Sequence, residues 1–296
     1  MLSDATLVTL CGLTAAVAWG VSDFWSAKAS KNLGPIIAAL LVNVIGALTI
    51  AVLYSVLWYK PVHITPESLG YAIGGGVFLA FALVAFFKGL AAGPVSLVSP
   101  VAAAYPLVTT ILALAVFKAH LAAQQVAGIL LVVFGVMAAT ELLDFKRSNR
   151  KLGIGPSFAL GAAACWGISF TLLSQAVGQL GWELLTAIEL AVVVLALALL
   201  LPFIKGSEQI SVKNLRRYAT NRYIVGAGFA SLLGTTALNL GLARETASGA
   251  IVTAVSASYP VLTMFLALRN FKERVKIVPL VGAVISVAGV VILSLG

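Results

Sequence analysis

The chain of 296 residues is 61% hydrophobic and only 10% charged, and its mean hydropathy is +1.07. A soluble domain carries about 25% charged residues, so this composition excludes a cytosolic enzyme, a soluble nucleic-acid-binding protein and a disordered chain. The 19 Lys and Arg residues outnumber the 10 Asp and Glu residues, and in a membrane protein such an excess usually lies in the cytoplasmic loops.

The hydrophobic residues form runs that are long enough to cross a bilayer, which takes about 20 mostly apolar residues in a helix. The sequence predicts ten such helices, near residues 5–27, 34–58, 68–92, 94–117, 121–143, 155–178, 181–204, 223–244, 246–268 and 275–296. A Gly-Pro pair stands at three of the predicted helix starts, where proline costs no hydrogen bond; the pairs are Gly34-Pro35, Gly93-Pro94 and Gly155-Pro156.

Five predicted helices in the first half of the chain correspond to five in the second half. The matching positions are Trp19-Gly20 with Trp166-Gly167, Gly89-Leu90-Ala91 with Gly241-Leu242-Ala243, Tyr105-Pro106 with Tyr259-Pro260, and Gly128 and Gly135 with Gly282 and Gly289. Shared Ala, Leu and Val content would not keep these residues in register. We therefore predict two repeats, at 1–143 and 155–296, joined by a basic linker at 144–154.

An odd number of helices per repeat means that the second repeat enters the membrane from the opposite face. The predicted fold class is an all-α polytopic membrane protein, with ten transmembrane helices as two inverted five-helix repeats around a central cavity. Many secondary transporters use this architecture and bind substrate near the midplane between the halves.

The chain resembles a ten-helix member of the drug/metabolite transporter superfamily with two EamA-type repeats. The resemblance rests on the two Trp-Gly and two Tyr-Pro pairs, the run at 89–100 and Glu273-Arg274. It implies secondary transport by alternating access, with the first, third and fourth helices of each repeat around the cavity and the second outside. The first repeat departs from the pattern at Ala119-His120, so a role for the acidic residue would apply to Glu273 only.

Lys and Arg residues lie mostly in alternate loops. The loops after predicted helices 1, 5, 7 and 9 hold fifteen of them, against three (Lys60, Lys118 and Arg244) on the other face. By the positive-inside rule the first face is cytoplasmic and both termini are outside. The family resemblance implies both termini inside, and we follow the charge distribution.

Few ionisable residues lie within the predicted helices, and such residues usually mark a pathway. Asp23 and Lys88 lie near the same end of helices 1 and 3, and we expect them to pair across a cavity mouth or to bind a charged substrate. The alternative is that Lys88 reaches the surface and Asp23 interacts locally. Asn239 is a further cavity candidate, whereas Glu189 and Asn43 fit either a cavity or a packing contact.

Four aromatic residues lie well inside their helices, and we expect them to line the cavity, with plain core packing as the alternative; they are Trp19, Trp166, Tyr105 and Tyr259. Pro100, Pro106 and Pro260 are predicted helix breaks, because proline removes a backbone hydrogen bond. Ser22 and Ser169 would add hydroxyls to the cavity, or else bond to local carbonyl groups.

These features predict a secondary active transporter, and not an enzyme, in the cytoplasmic membrane. We expect it to export a small polar or amphipathic metabolite such as an amino acid by alternating access. The alternatives are uptake of a small cation or nucleoside-like solute, and a receptor that transports nothing. We expect no cofactor, no metal and no nucleic-acid partner, since the basic loops lack interleaved aromatics. A coupling proton at Asp23 is a candidate, and both a monomer and a homodimer fit the sequence.

Overall fold

The computed structural model describes residues 4–116, 122–139, 154–203, 218, 220–244, 250–271 and 277–294. Apart from its last residue, the predicted linker at 144–154 lies outside these ranges. The described helices are α1 (Asp4–Leu33), α2 (Pro35–Leu53), α3 (Pro66–Ala92), α4 (Val95–Ala102), α5 (Tyr105–Ala115), α6 (Ala123–Ala139), α7 (Ile154–Leu200), α8 (Arg222–Leu242), α9 (Ala250–Ser256), α10 (Tyr259–Phe271) and α11 (Ile277–Ser294).

The chain is an all-helical, multi-pass membrane protein. In the described part of the chain, five helical segments are long and apolar enough to cross a membrane: Thr6–Leu33, Pro35–Trp58, Pro66–Ala92, Ile154–Phe203 and Arg222–Leu242. Large apolar side chains also point outward from several helices, among them Leu48, Phe134 and Leu199, which are 65%, 50% and 63% exposed. A hydrocarbon environment accommodates such side chains without cost.

The helix boundaries follow from local sequence. Pro35 begins α2 directly after Gly34, whose φ of 88° is favourable only for glycine. Thr65 caps α3 by accepting a hydrogen bond from the Ser68 amide at 3.1 Å. Gly181, with φ 74° and ψ 156°, interrupts the long helix α7, near the place where the sequence predicts one membrane helix to end and the next to begin.

Two other helices are interrupted at equivalent places. Residues 103–104 separate α4 from α5, and residues 257–258 separate α9 from α10, so each second segment begins with a Tyr-Pro pair. Proline lacks the amide hydrogen that would continue the helix. The chain instead makes turn hydrogen bonds that span three residues. The Ala104 amide donates to the Val101 carbonyl at 3.2 Å, and the Ser258 amide donates to the Val255 carbonyl at 3.2 Å.

Close glycine contacts hold helices of the two halves together. A Cβ atom on Gly155 would lie 2.9 Å from the Cα of Gly93, and one on Gly289 would lie 2.9 Å from the carbonyl oxygen of Gly128. The second contact joins α6 to α11 within one chain, so these glycines serve packing inside the monomer.

Contacts between helix ends show which connections share an end of the bundle. Arg244 approaches Asp4 at 4.0 Å and Lys60 approaches Glu183 at 3.7 Å. At the opposite end of α1 and α8, the Lys28 Nζ lies 4.9 Å from the centre of the Tyr223 ring. Helices α1 and α8 are therefore antiparallel neighbours.

Candidate functional site: a central cavity between the halves

A cavity of about 60 Å³ lies among α1, α2, α3, α5, α7, α8 and α10. This volume has room for only a few water molecules. The aromatic lining residues are Trp19, Phe86, Phe87, Tyr105, Trp166, Phe170 and Tyr259, and the polar ones are Ser22, Asp23, Ser26, Asn43, Glu189, Ser231 and Thr235. The other lining residues are Val42, Leu79, Leu83 and Leu190. The cavity thus has a largely apolar wall with a few polar groups, which is typical of small-molecule sites.

The four aromatic residues expected at the cavity all lie on its wall and contact one another through Phe170. The Trp19 ring stacks on Phe170 with centroids 6.0 Å apart, and Tyr259 meets Trp19 edge-on at 6.4 Å. Tyr105 lies edge-on to Trp166 at 6.0 Å and to Phe170 at 5.1 Å. These contacts fix the orientation of the rings in the wall.

Both tyrosine hydroxyls make hydrogen bonds that cross from one half of the chain to the other. The Tyr105 Oη and the Ser256 Oγ are 2.7 Å apart, and the Tyr259 Oη donates to the Ser99 carbonyl at 3.0 Å. The interruptions after Ala102 and after Ser256 place the two tyrosines at the start of α5 and of α10. Pro106 and Pro260 thus lie at helix breaks, whereas Pro100 lies inside α4, which continues through it.

Asp23 is buried in the wall near these tyrosines. It is 9% exposed, and its Oδ2 accepts a hydrogen bond from the Ser99 Oγ at 3.1 Å. Lys88 does not join it: the Lys88 Nζ lies 5.7 Å from the centre of the Phe158 ring, and Lys88 is not among the residues that line the cavity. The expected Asp23–Lys88 pair is therefore not formed in this conformation.

The two predicted serines use their hydroxyls to hold helices together. The Ser22 Oγ donates to the Ala227 carbonyl at 3.0 Å, and the Ser169 Oγ donates to the Gly75 carbonyl at 2.8 Å. Ser22 also lines the cavity, whereas Ser169 does not.

A second buried polar group comes from the part of α7 after Gly181. The Asn239 Nδ2 donates to the Glu189 Oε1 at 3.0 Å and to the Thr186 Oγ1 at 2.9 Å. Glu189 lines the cavity, whereas Asn239, which was expected there, is not among the lining residues and contacts Glu189 through its hydrogen bond. Asn43 also lines the cavity, and its Nδ2 donates to the Ala39 carbonyl of its own helix at 2.8 Å.

The position of Glu189 and Asn43 corrects one expectation, that the second helix of each repeat lies outside the cavity. Both residues belong to such helices. The physical reason is that the neighbouring helices α3 and α8 have glycines, Gly76 and Gly228, at the contacts. Without side chains there, these second helices approach closely. The sequence signal for Glu189 was its position deep inside an apolar segment. Phe86 and Phe170 carried no signal that distinguished them from other apolar residues.

Among the described residues, no group of three or more His, Cys, Asp or Glu side chains is arranged to hold a metal ion. The chemistry that the wall offers is hydrogen bonding, carboxyl groups and aromatic faces.

Comparisons with known proteins identify the family. The chain matches the EamA-like transporter family twice, over residues 6–140 and over residues 153–295. It is 30% identical over 129 residues to an uncharacterised protein of Methanocaldococcus jannaschii, in a match that covers 43% of this chain and 92% of that protein. It also shares the fold of a solved crystal structure, with a TM-score of 0.71 and 17% identity over 96% of this chain and 95% of the other. Since the two family matches cover nearly the whole sequence, the chain belongs to the EamA-like transporter family.

Proposed function

We propose that this EamA-family transporter moves a small amphipathic metabolite bearing an amino group, such as an amino acid or a related compound, across the cytoplasmic membrane by alternating access. The central cavity is the transport site, and export is the direction we assign. The observation that carries the proposal is a buried cavity between the two halves whose mostly apolar, aromatic wall contains the carboxyl groups of Asp23 and Glu189.

We further propose ten membrane helices in two inverted repeats, with α4 and α5 forming one span and α9 and α10 forming another. Contacts that occur once in each direction between the halves support this arrangement. Gly20 packs against the Tyr259 carbonyl, and Gly167 packs against the Tyr105 carbonyl. Such paired contacts are expected when one arrangement of helices is built twice around a pseudo-two-fold axis.

Alternating access requires that the halves rearrange around the cavity. Its volume of about 60 Å³ is too small for an amino acid, so binding requires a wider conformation than this one. In our proposal the first helix of each repeat slides on the fourth helix of the other, at the two glycine contacts, and opens the cavity to one face at a time.

Transport into proteoliposomes tests the proposal. We expect counterflow of amino-bearing metabolites by the wild-type protein, and a loss of at least tenfold for Trp19→Ala, which removes part of the cavity wall. Val17→Ala on the same helix is the matched control, because Val17 is 59% exposed on the outer surface. Equal losses for both variants, or no flux of any metabolite in a broad panel, would contradict the proposal, and the second result would favour a receptor.

A further inference from the structure

We propose that Glu189 recognises the positively charged amino group of the substrate, and that among amino-bearing metabolites the cavity prefers amines without a free carboxylate over amino acids. This inference rests on the proposed function, because it narrows the substrate class of the same cavity. It assigns a role to a residue in the part of α7 after Gly181, on a helix that the family resemblance places outside the site.

The first argument is an incomplete set of hydrogen bonds at the cavity wall. Glu189 is only 1% exposed and Asn239 is fully buried. The Glu189 Oε2 and the Asn239 Oδ1 have no hydrogen-bond partner among the residues that the structure describes. Buried polar atoms nearly always have a partner. Of the two residues, Glu189 lines the cavity, and its ionised carboxylate can only accept hydrogen bonds. The group that fits the free oxygen is therefore a donor, and an ammonium group brings three donors together with a positive charge.

The second argument is that the fold does not need a carboxyl group at this position. A Cβ atom on Gly76 would lie 3.3 Å from the Glu189 carbonyl oxygen, and one on Gly228 would lie 3.0 Å from the Val42 carbonyl oxygen. Because Gly76 and Gly228 occupy equivalent places in the two halves, Val42 is the counterpart of Glu189.

The same spacing that relates Gly76 to Gly228 relates Phe87 to Asn239. One half of the protein therefore has Val42 and Phe87 at these two positions, and the other half has a glutamate and an asparagine that are hydrogen-bonded to each other. Helix packing is satisfied by the apolar version. The polar version carries the cost of burying a carboxyl group, which points to a ligand as the reason for it.

The third argument is the sign of the charge around the cavity. Asp23 and Glu189 line it, and none of the described residues that line it is Lys, Arg or His. A carboxylate on the substrate would face two acidic groups with no cation to pair with, and an unpaired buried charge is costly. An ammonium group pairs with Glu189 and is attracted to the faces of Trp19 and Trp166.

Three small probes with the same ring separate these possibilities: phenethylamine is a cation, phenylalanine a zwitterion and 3-phenylpropionate an anion. Binding to the purified full-length protein is measured by thermal shift and by calorimetry. We expect phenethylamine to bind most tightly, and Glu189→Gln to weaken it about tenfold to a hundredfold, since hydrogen bonds to charged groups are the strong ones. Glu183→Gln is the matched control on the same helix, because Glu183 pairs with Lys60 away from the cavity.

Glu189→Asp keeps the charge and shows whether any loss comes from misfolding, and we expect it to bind phenethylamine within tenfold of wild type. The inference is overturned if phenethylamine fails to bind the wild type, if phenylalanine binds equally well, or if Glu189→Gln leaves the affinity for the amine unchanged. The inference is also overturned if Glu189→Gln changes only the response of transport to an imposed pH gradient, because Glu189 would then be a proton site. Amine binding that depends on Glu189, without flux of any solute, would overturn the transporter function and support the recognition.

Discussion

The cavity wall combines residues that occur in both halves with residues that occur in one. Trp19 and Tyr105 have counterparts in Trp166 and Tyr259, and all four line the cavity. Asp23, in contrast, has Phe170 as its counterpart in the second half, because each of them lies four positions after the tryptophan of its Trp-Gly pair. The aromatic residues shared by the two halves form much of the cavity wall, and we propose that the residues present in one half only determine which substrate binds.

We expect transport to depend on the carboxyl group of Asp23. Asp23→Asn keeps the shape of the side chain and removes its charge, so we expect transport to fall at least tenfold and its pH dependence to change. Asp4→Asn is the control, since Asp4 is 77% exposed at the end of α1. Initial rates in proteoliposomes across a pH series measure both effects. Unchanged rates and an unchanged pH profile for Asp23→Asn would exclude a role for this carboxyl group.

We expect the Tyr259 hydroxyl to contribute to the stability of the fold. Tyr259→Phe leaves the ring in the wall but removes one of two donors to the buried Ser99 carbonyl, which also accepts from the Ala103 amide at 3.1 Å. The variant therefore loses one net hydrogen bond, worth about 0.5–1.5 kcal/mol. We expect a lower melting temperature in detergent for this variant. Tyr59→Phe, at a residue that is 71% exposed, should melt as the wild type does. Equal melting of both variants would show that the bond between the halves contributes no stability.

Sequence reasoning reached the aromatic residues and Asp23 because each is unusual inside an apolar helix. It did not reach the partners of the polar groups. Lys88 lies on α3 and Ser99 on α4, so which of them Asp23 meets depends on how α1, α3 and α4 are rotated about their axes, and the sequence does not specify those rotations. The hydroxyl of Ser169 was open to two interpretations for the same reason, and it bonds to the Gly75 carbonyl.

At the scale of the helix, glycine and proline determine the arrangement. The Gly-Pro pairs mark where α2 and the first part of α7 begin, and the Tyr-Pro pairs mark where α5 and α10 begin. These features were predictable because they act through the backbone of one segment. The close approach of α2 to the cavity was not predictable, because it depends on glycines in other helices.

We expect the packing of α7 against the end of α3 to require glycine at position 155. Its contact with Gly93 leaves no room for a side chain, so Gly155→Val should separate α7 from the end of α3 and destabilise the protein by about 1–3 kcal/mol. Gly161→Val, on the same helix, is the control, because a Cβ atom there meets nothing within 4 Å. Thermal unfolding of the two variants in one detergent measures the difference. Similar melting temperatures would contradict the close packing of Gly93 and Gly155.

At the scale of the whole molecule, the basic residues bear on how the protein sits in the membrane. Lys28 and Arg222 lie at one end of α1 and α8, whereas Arg244 lies at the other end beside Asp4. From the positive-inside rule we propose that the first end is cytoplasmic and that both termini are outside.

A reporter fused after Gly296 tests this orientation. We expect alkaline phosphatase, which folds to activity outside the cytoplasm, to be active there, and green fluorescent protein to be dark when exported through the same route. The matched fusions after Lys151, in the basic linker, should give the reverse result. A fluorescent protein at Gly296 would place the C-terminus inside and overturn the charge argument.

In the proposed transport cycle, the cavity between the halves opens to each side of the membrane in turn. A single cysteine at Ser231, which lines the cavity, is introduced after Cys11 and Cys165 are replaced by alanine, and is treated with a membrane-impermeant thiol reagent in right-side-out and in inside-out vesicles. Alternating access predicts labelling from both sides, whereas a cysteine at Val17, which is 59% exposed on the outer surface, should not be labelled from either side. Labelling of Ser231→Cys from one side alone, or from neither, would contradict alternating access through this cavity.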